Sequence, residues 1–116
     1  MKRISLFVVA LFCCSAAFAG AVWSSVTVIQ FEPQTSQYVN SPNGLVFVKL
    51  SAAPTGGASC GSSVSQYGVI DVSSPGGMMT AAVLQAARLD GATLNVYGLG
   101  SCAVYSGFET IAYVIE

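Results

Sequence analysis

The sequence contains no histidine, and charged residues make up only 8% of its 116 residues. The absence of histidine excludes Ser-His-Asp and Cys-His catalytic arrangements. It also removes a common zinc ligand, and only two of the four cysteines lie beyond residue 19, too few to complete a four-ligand site. The sequence therefore predicts a protein that is not an enzyme and that requires no metal or other cofactor.

The five acidic residues do not indicate a catalytic pair, although glycoside hydrolysis can use two carboxylates that face one bond. Asp90 precedes Gly91 in a predicted turn, and Glu116 is the last residue. Asp71 and Glu109 lie on predicted strands, where we expect them to face solvent or a neighbouring subunit.

The first nineteen residues have the pattern of a cleaved signal peptide. Lys2 and Arg3 precede a mainly apolar run over residues 4–15, and Ala17-Phe18-Ala19 forms a small-x-small cleavage pattern. This run is shorter than the roughly 20 residues of a membrane-spanning helix. We therefore expect cleavage after Ala19, no stable membrane insertion, and a secreted or periplasmic domain over residues 20–116.

From Gly20 onward, Lys49 and Arg88 are the only basic residues, and five acidic residues give a net side-chain charge of −3. Nucleic-acid binding requires several cations that neutralise phosphates, so this class of partner is excluded. So little charge on a small domain predicts apolar surface that a partner covers.

Two cysteines, Cys60 and Cys102, follow the predicted cleavage site. An even number of cysteines in an exported chain predicts a disulfide bond. The entropy of closing the loop between them implies a stabilisation of about 4 kcal/mol.

The hydrophobic pattern predicts five strands, and Gly/Pro/Asn/Ser-rich segments separate the first three. The loops cover residues 34–44, with a turn at Ser41-Pro42-Asn43-Gly44, and residues 52–63; Pro33 is expected to end the pairing of the first strand. The predicted strands are residues 22–31, 45–50, 66–72, 93–97 and 108–115.

One helix is predicted between the third and fourth strands. Ser73 or Ser74 can cap its first turn, Pro75 suits its first position, and Asp90-Gly91 ends it. Helical spacing predicts a buried stripe of Met79, Ala82, Val83, Ala86 and Leu89. Leu84 and Arg88 then lie on the opposite side, where we expect them to contact another subunit.

The order β-β-β-α-β-β is that of a five-stranded oligonucleotide/oligosaccharide-binding (OB) barrel, in a chain that is mainly β with one helix. An open α+β sandwich, with the helix on one face of the sheet, is the alternative architecture.

Residues 47–102 resemble the B subunits of subtilase cytotoxin and the pertussis-like toxins. The similar features are the loop around Cys60, the strand Val69-Ile70-Asp71-Val72, the helix over residues 79–88, the Asp90-Gly91 turn, and Leu94-Asn95-Val96-Tyr97 leading to Cys102. The resemblance implies an exported barrel that forms a five-membered ring, binds sialylated glycans on host cells and associates with an exported enzymatic subunit.

Two function classes remain open. In a glycan-binding module, Asn95, Tyr97 and Tyr105 are the candidate ligand-binding residues, with Tyr67 and Trp23 behind them. The alternative is a small periplasmic or cell-surface structural or interaction protein of unknown partner, in which such tyrosines pack at a sheet edge or subunit contact. Trp23 is expected in the core or at an interface in either class.

Overall fold

A computed structural model of the protein describes residues 20–34 and 44–116. The predicted signal peptide lies outside these residues, as do residues 41–43 of the predicted turn. Within the described ranges, no helix has the length and apolar character needed to cross a membrane.

The described residues form six strands and one α-helix, so the prediction of a mainly β chain with one helix is confirmed. Helix α1 is Pro75–Asp90, and a 3₁₀ helix, Ser59–Val64, lies between the third and fourth strands. The strands are β1 Val22–Val26, β2 Val28–Gln34, β3 Leu45–Leu50, β4 Tyr67–Asp71, β5 Leu94–Gly98 and β6 Glu109–Ile115.

The single strand predicted over residues 22–31 is instead two strands, β1 and β2, separated by Thr27. Ser25 has a φ of 51°, which is unfavourable for a residue with a Cβ, and the pairing of β1 is irregular between Trp23 and Val26. The positive φ of Ser25 interrupts the extended backbone and divides the predicted strand in two. Pro33 does not end the pairing either: it lies opposite Val46, and β2 tolerates a proline because it is an edge strand.

The strands form one sheet in the order β1-β5-β6-β4-β3-β2. The pairs are antiparallel except β4 with β6, which is parallel. The sheet is open, so a closed barrel of five strands is not what the structure contains. The two edge strands, β1 and β2, are nevertheless consecutive in the chain.

Helix α1 begins and ends where the sequence predicts. The hydroxyl of Ser74 accepts a hydrogen bond from the Gly77 N–H at 3.1 Å, and Pro75 occupies the first helical position. Gly91 adopts the left-handed conformation, with a φ of 68°, and its N–H bonds to the last carbonyls of the helix.

The predicted orientation of α1 is wrong. Its buried residues are Ala81, Leu84 and Ala87, and Leu84 is 0% exposed. Met79 and Leu89 are instead 68% and 74% exposed. Both sides of the helix carry apolar residues, so helical spacing alone allowed two stripes. The observed one has two alanines, which let the helix approach the sheet closely around a single large side chain.

This orientation corrects the expectation that Leu84 contacts another subunit, because Leu84 lies within the domain's own core. Arg88 is exposed, as expected for the other proposed contact residue. The main core lies between α1 and the inner face of the sheet, where Trp23 is fully buried and its indole N–H donates to the Ser65 carbonyl at 3.1 Å. A second, smaller cluster comprises Leu45, Phe47 and Val69, with Val104 and Phe108 packed against it.

The predicted disulfide between Cys60 and Cys102 is confirmed, with Cα atoms 6.3 Å apart. Cys60 lies in the 3₁₀ helix and Cys102 follows β5. The bond therefore ties the β3–β4 connection to the loop that leads into β6.

Candidate functional site

The outer face of the sheet, opposite α1, carries polar and aromatic side chains around two buried aliphatic ones. Phe47 of β3 lies opposite Glu32 on one side and Val69 on the other. Because side chains alternate along a strand, the residues two positions away share this face. Its members are Gln30, Glu32 and Gln34 of β2, Leu45, Phe47 and Lys49 of β3, and Tyr67, Val69 and Asp71 of β4.

Four aromatic rings cluster on this face. The ring of Phe47 makes edge-to-face contacts with Tyr105 and Phe108, at centroid distances of 5.1 and 5.0 Å. The Phe108 ring also contacts Tyr67 at 5.9 Å and Tyr105 at 5.8 Å. Such pairs stabilise one another beyond the area that they bury. The rings therefore form one contiguous platform.

The platform forms the apolar part of an open depression of about 380 Å³, which we call the aromatic depression. Two polar side chains of β2 complete its wall. Its lining residues are Glu32, Gln34, Phe47, Tyr67, Tyr105 and Phe108.

The loop between β5 and β6 supplies two of the four rings. Phe108 donates its backbone N–H to the Tyr105 carbonyl at 3.2 Å, and Gly107 between them has a φ of 91°. This tight turn places both rings over Phe47. The disulfide at Cys102 anchors the start of the same loop.

Polar contacts border the rings. The Tyr67 hydroxyl and the Gln30 side-chain carbonyl are hydrogen-bonded at 3.1 Å, and the Lys49 ammonium lies 5.7 Å from the centre of the Tyr67 ring. Lys49 thus makes a cation–π contact. Arg88, the other cation of the domain, is on α1, which packs against the inner face of the sheet.

Glu109 has a structural role that sequence reasoning missed. It was expected to face solvent or a subunit neighbour, but it is only 4% exposed. Its carboxylate accepts hydrogen bonds from three backbone N–H groups, those of Ala58 at 2.7 Å, Gly100 at 2.7 Å and Ala21 at 3.2 Å. These bonds replace the hydration that a buried carboxylate loses. Glu109 therefore joins three distant segments of backbone.

The Glu109 side chain occupies space that is available because nearby residues are glycines without a Cβ. A Cβ on Gly98 would collide with the carboxylate, and a Cβ on Gly57 would lie 3.3 Å from it. A sequence signal did exist: an acidic residue opens an apolar strand in a chain that is poor in charge and rich in glycine. That pattern is compatible with a buried or an exposed carboxylate, and it does not identify the donors.

The structure separates the three residues predicted to bind a ligand. Tyr105 lies in the aromatic depression and is 36% exposed. Tyr97 instead stacks on Tyr113, with centroids 4.6 Å apart, beside a different depression. Asn95 accepts a hydrogen bond from the Ser25 N–H at 2.8 Å, at the break between β1 and β2.

Of the two secondary candidates, Tyr67 lies in the depression and Trp23 is in the core. Sequence reasoning missed Phe47, Phe108 and Glu32, because their proximity depends on strand register and on the path of the β5–β6 loop.

Over residues 20–34 and 44–116, no three His, Cys, Asp or Glu side chains are grouped in a way that could hold a metal ion. No protein-family model, curated protein or solved structure matches the chain.

Proposed function

We propose that this protein is a non-enzymatic module that binds glycans in the aromatic depression. The observation that carries the proposal is the placement of four aromatic rings beside a carboxylate and an amide on one sheet face. A pyranose ring has a face of C–H groups and an edge of hydroxyl groups. Aromatic rings can cover the first, and Glu32 and Gln34 can accept hydrogen bonds from the second.

The size and rigidity of the depression are consistent with this ligand class. Its volume of about 380 Å³ lies at the lower end of small-molecule sites, which suits one or two sugar rings. Phe47 is buried beneath the other rings, and the disulfide holds the adjacent loop. A site whose groups are already ordered loses little conformational entropy on binding, which helps to offset the cost of removing water from the hydroxyl groups of a sugar.

We further propose that the fold is a variant of the OB barrel in which the first strand is broken at Thr27. Three features support this: β1 and β2 are consecutive but lie at opposite edges, β4 and β6 are parallel, and α1 lies between β4 and β5. If β1 and β2 count as one strand, β3 and β4 are the second and third strands. In OB folds these strands and their flanking loops bind oligosaccharides or oligonucleotides, and here they carry Phe47 and Tyr67.

The export of the domain is part of the proposal. The disulfide supports it, because such bonds persist in oxidising compartments outside the cytosol. The test is mass spectrometry of the protein recovered from the periplasm or medium of a bacterial host. We expect Gly20 to be the first residue; retention of residues 1–19, or a lipid on Cys13 or Cys14, would overturn it.

A glycan array tests the binding function directly. We expect the oxidised domain to bind a subset of printed oligosaccharides, and Tyr105→Ala to weaken that binding about fivefold or more because a platform ring is lost. Tyr113→Ala is the matched control, since it removes an exposed tyrosine outside the depression. An array without signal, or equal binding by wild type and Tyr105→Ala, would contradict the proposal.

A structural role through self-assembly is the second candidate. It is supported by the outer side of α1, where Met78, Met79 and Leu89 are exposed. The resembling toxins imply a homopentamer and an exported enzymatic partner, and exposed apolar area of this kind is typical of a subunit contact. Light scattering at micromolar concentration should then show an oligomer that Met79→Glu dissociates and Ser63→Glu, at an exposed position of the 3₁₀ helix, does not. A monomeric wild type would exclude this role.

A further inference from the structure

We propose that the aromatic depression selects neutral sugars and disfavours anionic ones, sialylated glycans included. This inference rests on the proposed glycan-binding function and specifies the ligand class of the same site. It departs from the expectation that the toxin resemblance implies.

The charge around the depression carries the inference. Among the described residues that line it, Glu32 is the only charged one. The wall of the site is therefore acidic.

Neither cation of the domain is among the described residues that line the depression. Lys49 shares the outer face, and its ammonium group lies 5.7 Å from the centre of the Tyr67 ring, so it borders the site without forming its wall. Arg88 is on the helix that packs against the opposite face of the sheet. A sialic acid carboxylate in the depression would lose water without gaining an arginine fork, and it would lie near Glu32 in a partly apolar environment.

A neutral pyranose satisfies both parts of the site. Its C–H face can lie against the exposed parts of Tyr105 and Phe108, while adjacent hydroxyl groups donate to Glu32. Hydrogen bonds to an ionised carboxylate are roughly twice as strong as neutral ones, so the same negative charge that repels an anion favours a hydroxyl donor.

The test compares matched ligands on a printed array of neutral oligosaccharides and their sialylated and sulfated counterparts, with lactose and 3′-sialyllactose titrated in solution. The proteins are the oxidised wild type, Glu32→Gln and Tyr105→Ala. We expect wild type to bind the neutral member of a pair at least tenfold more tightly. Glu32→Gln should lower the affinity for neutral sugars roughly tenfold. It should also reduce the difference in affinity between the neutral and the anionic sugar of each pair.

The outcomes separate the two proposals. If anionic glycans bind as tightly as neutral ones or more tightly, and Tyr105→Ala removes that binding, the depression is a glycan site and the neutral selectivity is wrong. If Glu32→Gln leaves the preference for neutral sugars unchanged, the role of its charge is wrong. If no glycan binds, or Tyr105→Ala has no effect, the proposed function itself fails and the selectivity with it.

Discussion

The carboxylate of Glu109 accepts a hydrogen bond from the backbone N–H of Ala58 at 2.7 Å, although 51 residues separate the two in the chain. The same carboxylate accepts from Gly100 and Ala21. It therefore satisfies, with one side chain, donors from the β3–β4 connection, the β5–β6 loop and the residue before β1. We regard it as the main polar contact that orders the loops around the disulfide.

Glu109→Gln should destabilise the domain by about 2 kcal/mol. A glutamine amide directs an NH₂ group at one of the three N–H donors and leaves that donor unsatisfied in a buried setting. The midpoint of thermal unfolding, followed by circular dichroism, should fall by roughly 10 °C. Glu116→Gln, at the exposed end of the chain, is the control and should unfold like wild type. Equal midpoints for the two variants would show that the buried carboxylate contributes no net stability.

Gly98→Ala should also destabilise the domain, by about 2 kcal/mol, because the added methyl group would collide with the Glu109 carboxylate. Gly76→Ala provides the matched comparison, since no atom lies within 4 Å of a Cβ there and alanine favours the helix. We expect Gly76→Ala to equal or exceed the stability of wild type in urea unfolding. A Gly98→Ala variant as stable as Gly76→Ala would be inconsistent with the close packing described above.

Leu84→Ala should cost about 3 kcal/mol or more, because it leaves a cavity between α1 and the sheet. Leu89→Ala, five residues along the same helix, removes an exposed side chain and should change the free energy of unfolding by less than about 0.5 kcal/mol. Chemical denaturation of both variants measures the difference. If Leu89→Ala were the more destabilising variant, the buried stripe of α1 would be the one predicted from helical spacing.

Asn95→Ala should lower stability by about 1 kcal/mol and leave glycan binding unchanged. Its side-chain carbonyl holds the Ser25 N–H at the point where the backbone adopts a positive φ. Tyr105→Ala should show the opposite pattern, with weaker glycan binding and a smaller change in stability. Measuring both properties on both variants distinguishes a structural asparagine from a ligand-binding one. If folded Asn95→Ala lost glycan binding, the binding site would lie closer to β5 than the aromatic depression does.

The elements whose formation depends on local chemistry were predictable from sequence. Ser74, Pro75 and Gly91 determine the ends of α1, because a cap, a fixed φ and a left-handed residue act within one turn of the chain. Strand β3 is bounded as predicted, and the pairing of Cys60 with Cys102 followed from there being only two cysteines beyond the predicted signal peptide. The mainly β class followed from the same local patterns.

Long-range packing decided the rest. Helical spacing allowed two apolar stripes on α1, and only contact with the sheet selected Leu84 over Met79 and Leu89. The division of the first strand depends on the positive φ of Ser25, which no turn pattern in the sequence predicts. The aromatic depression and the burial of Glu109 each join segments far apart in the chain. Strand register and loop path determine such contacts, and neither is encoded in the spacing of residues along one segment.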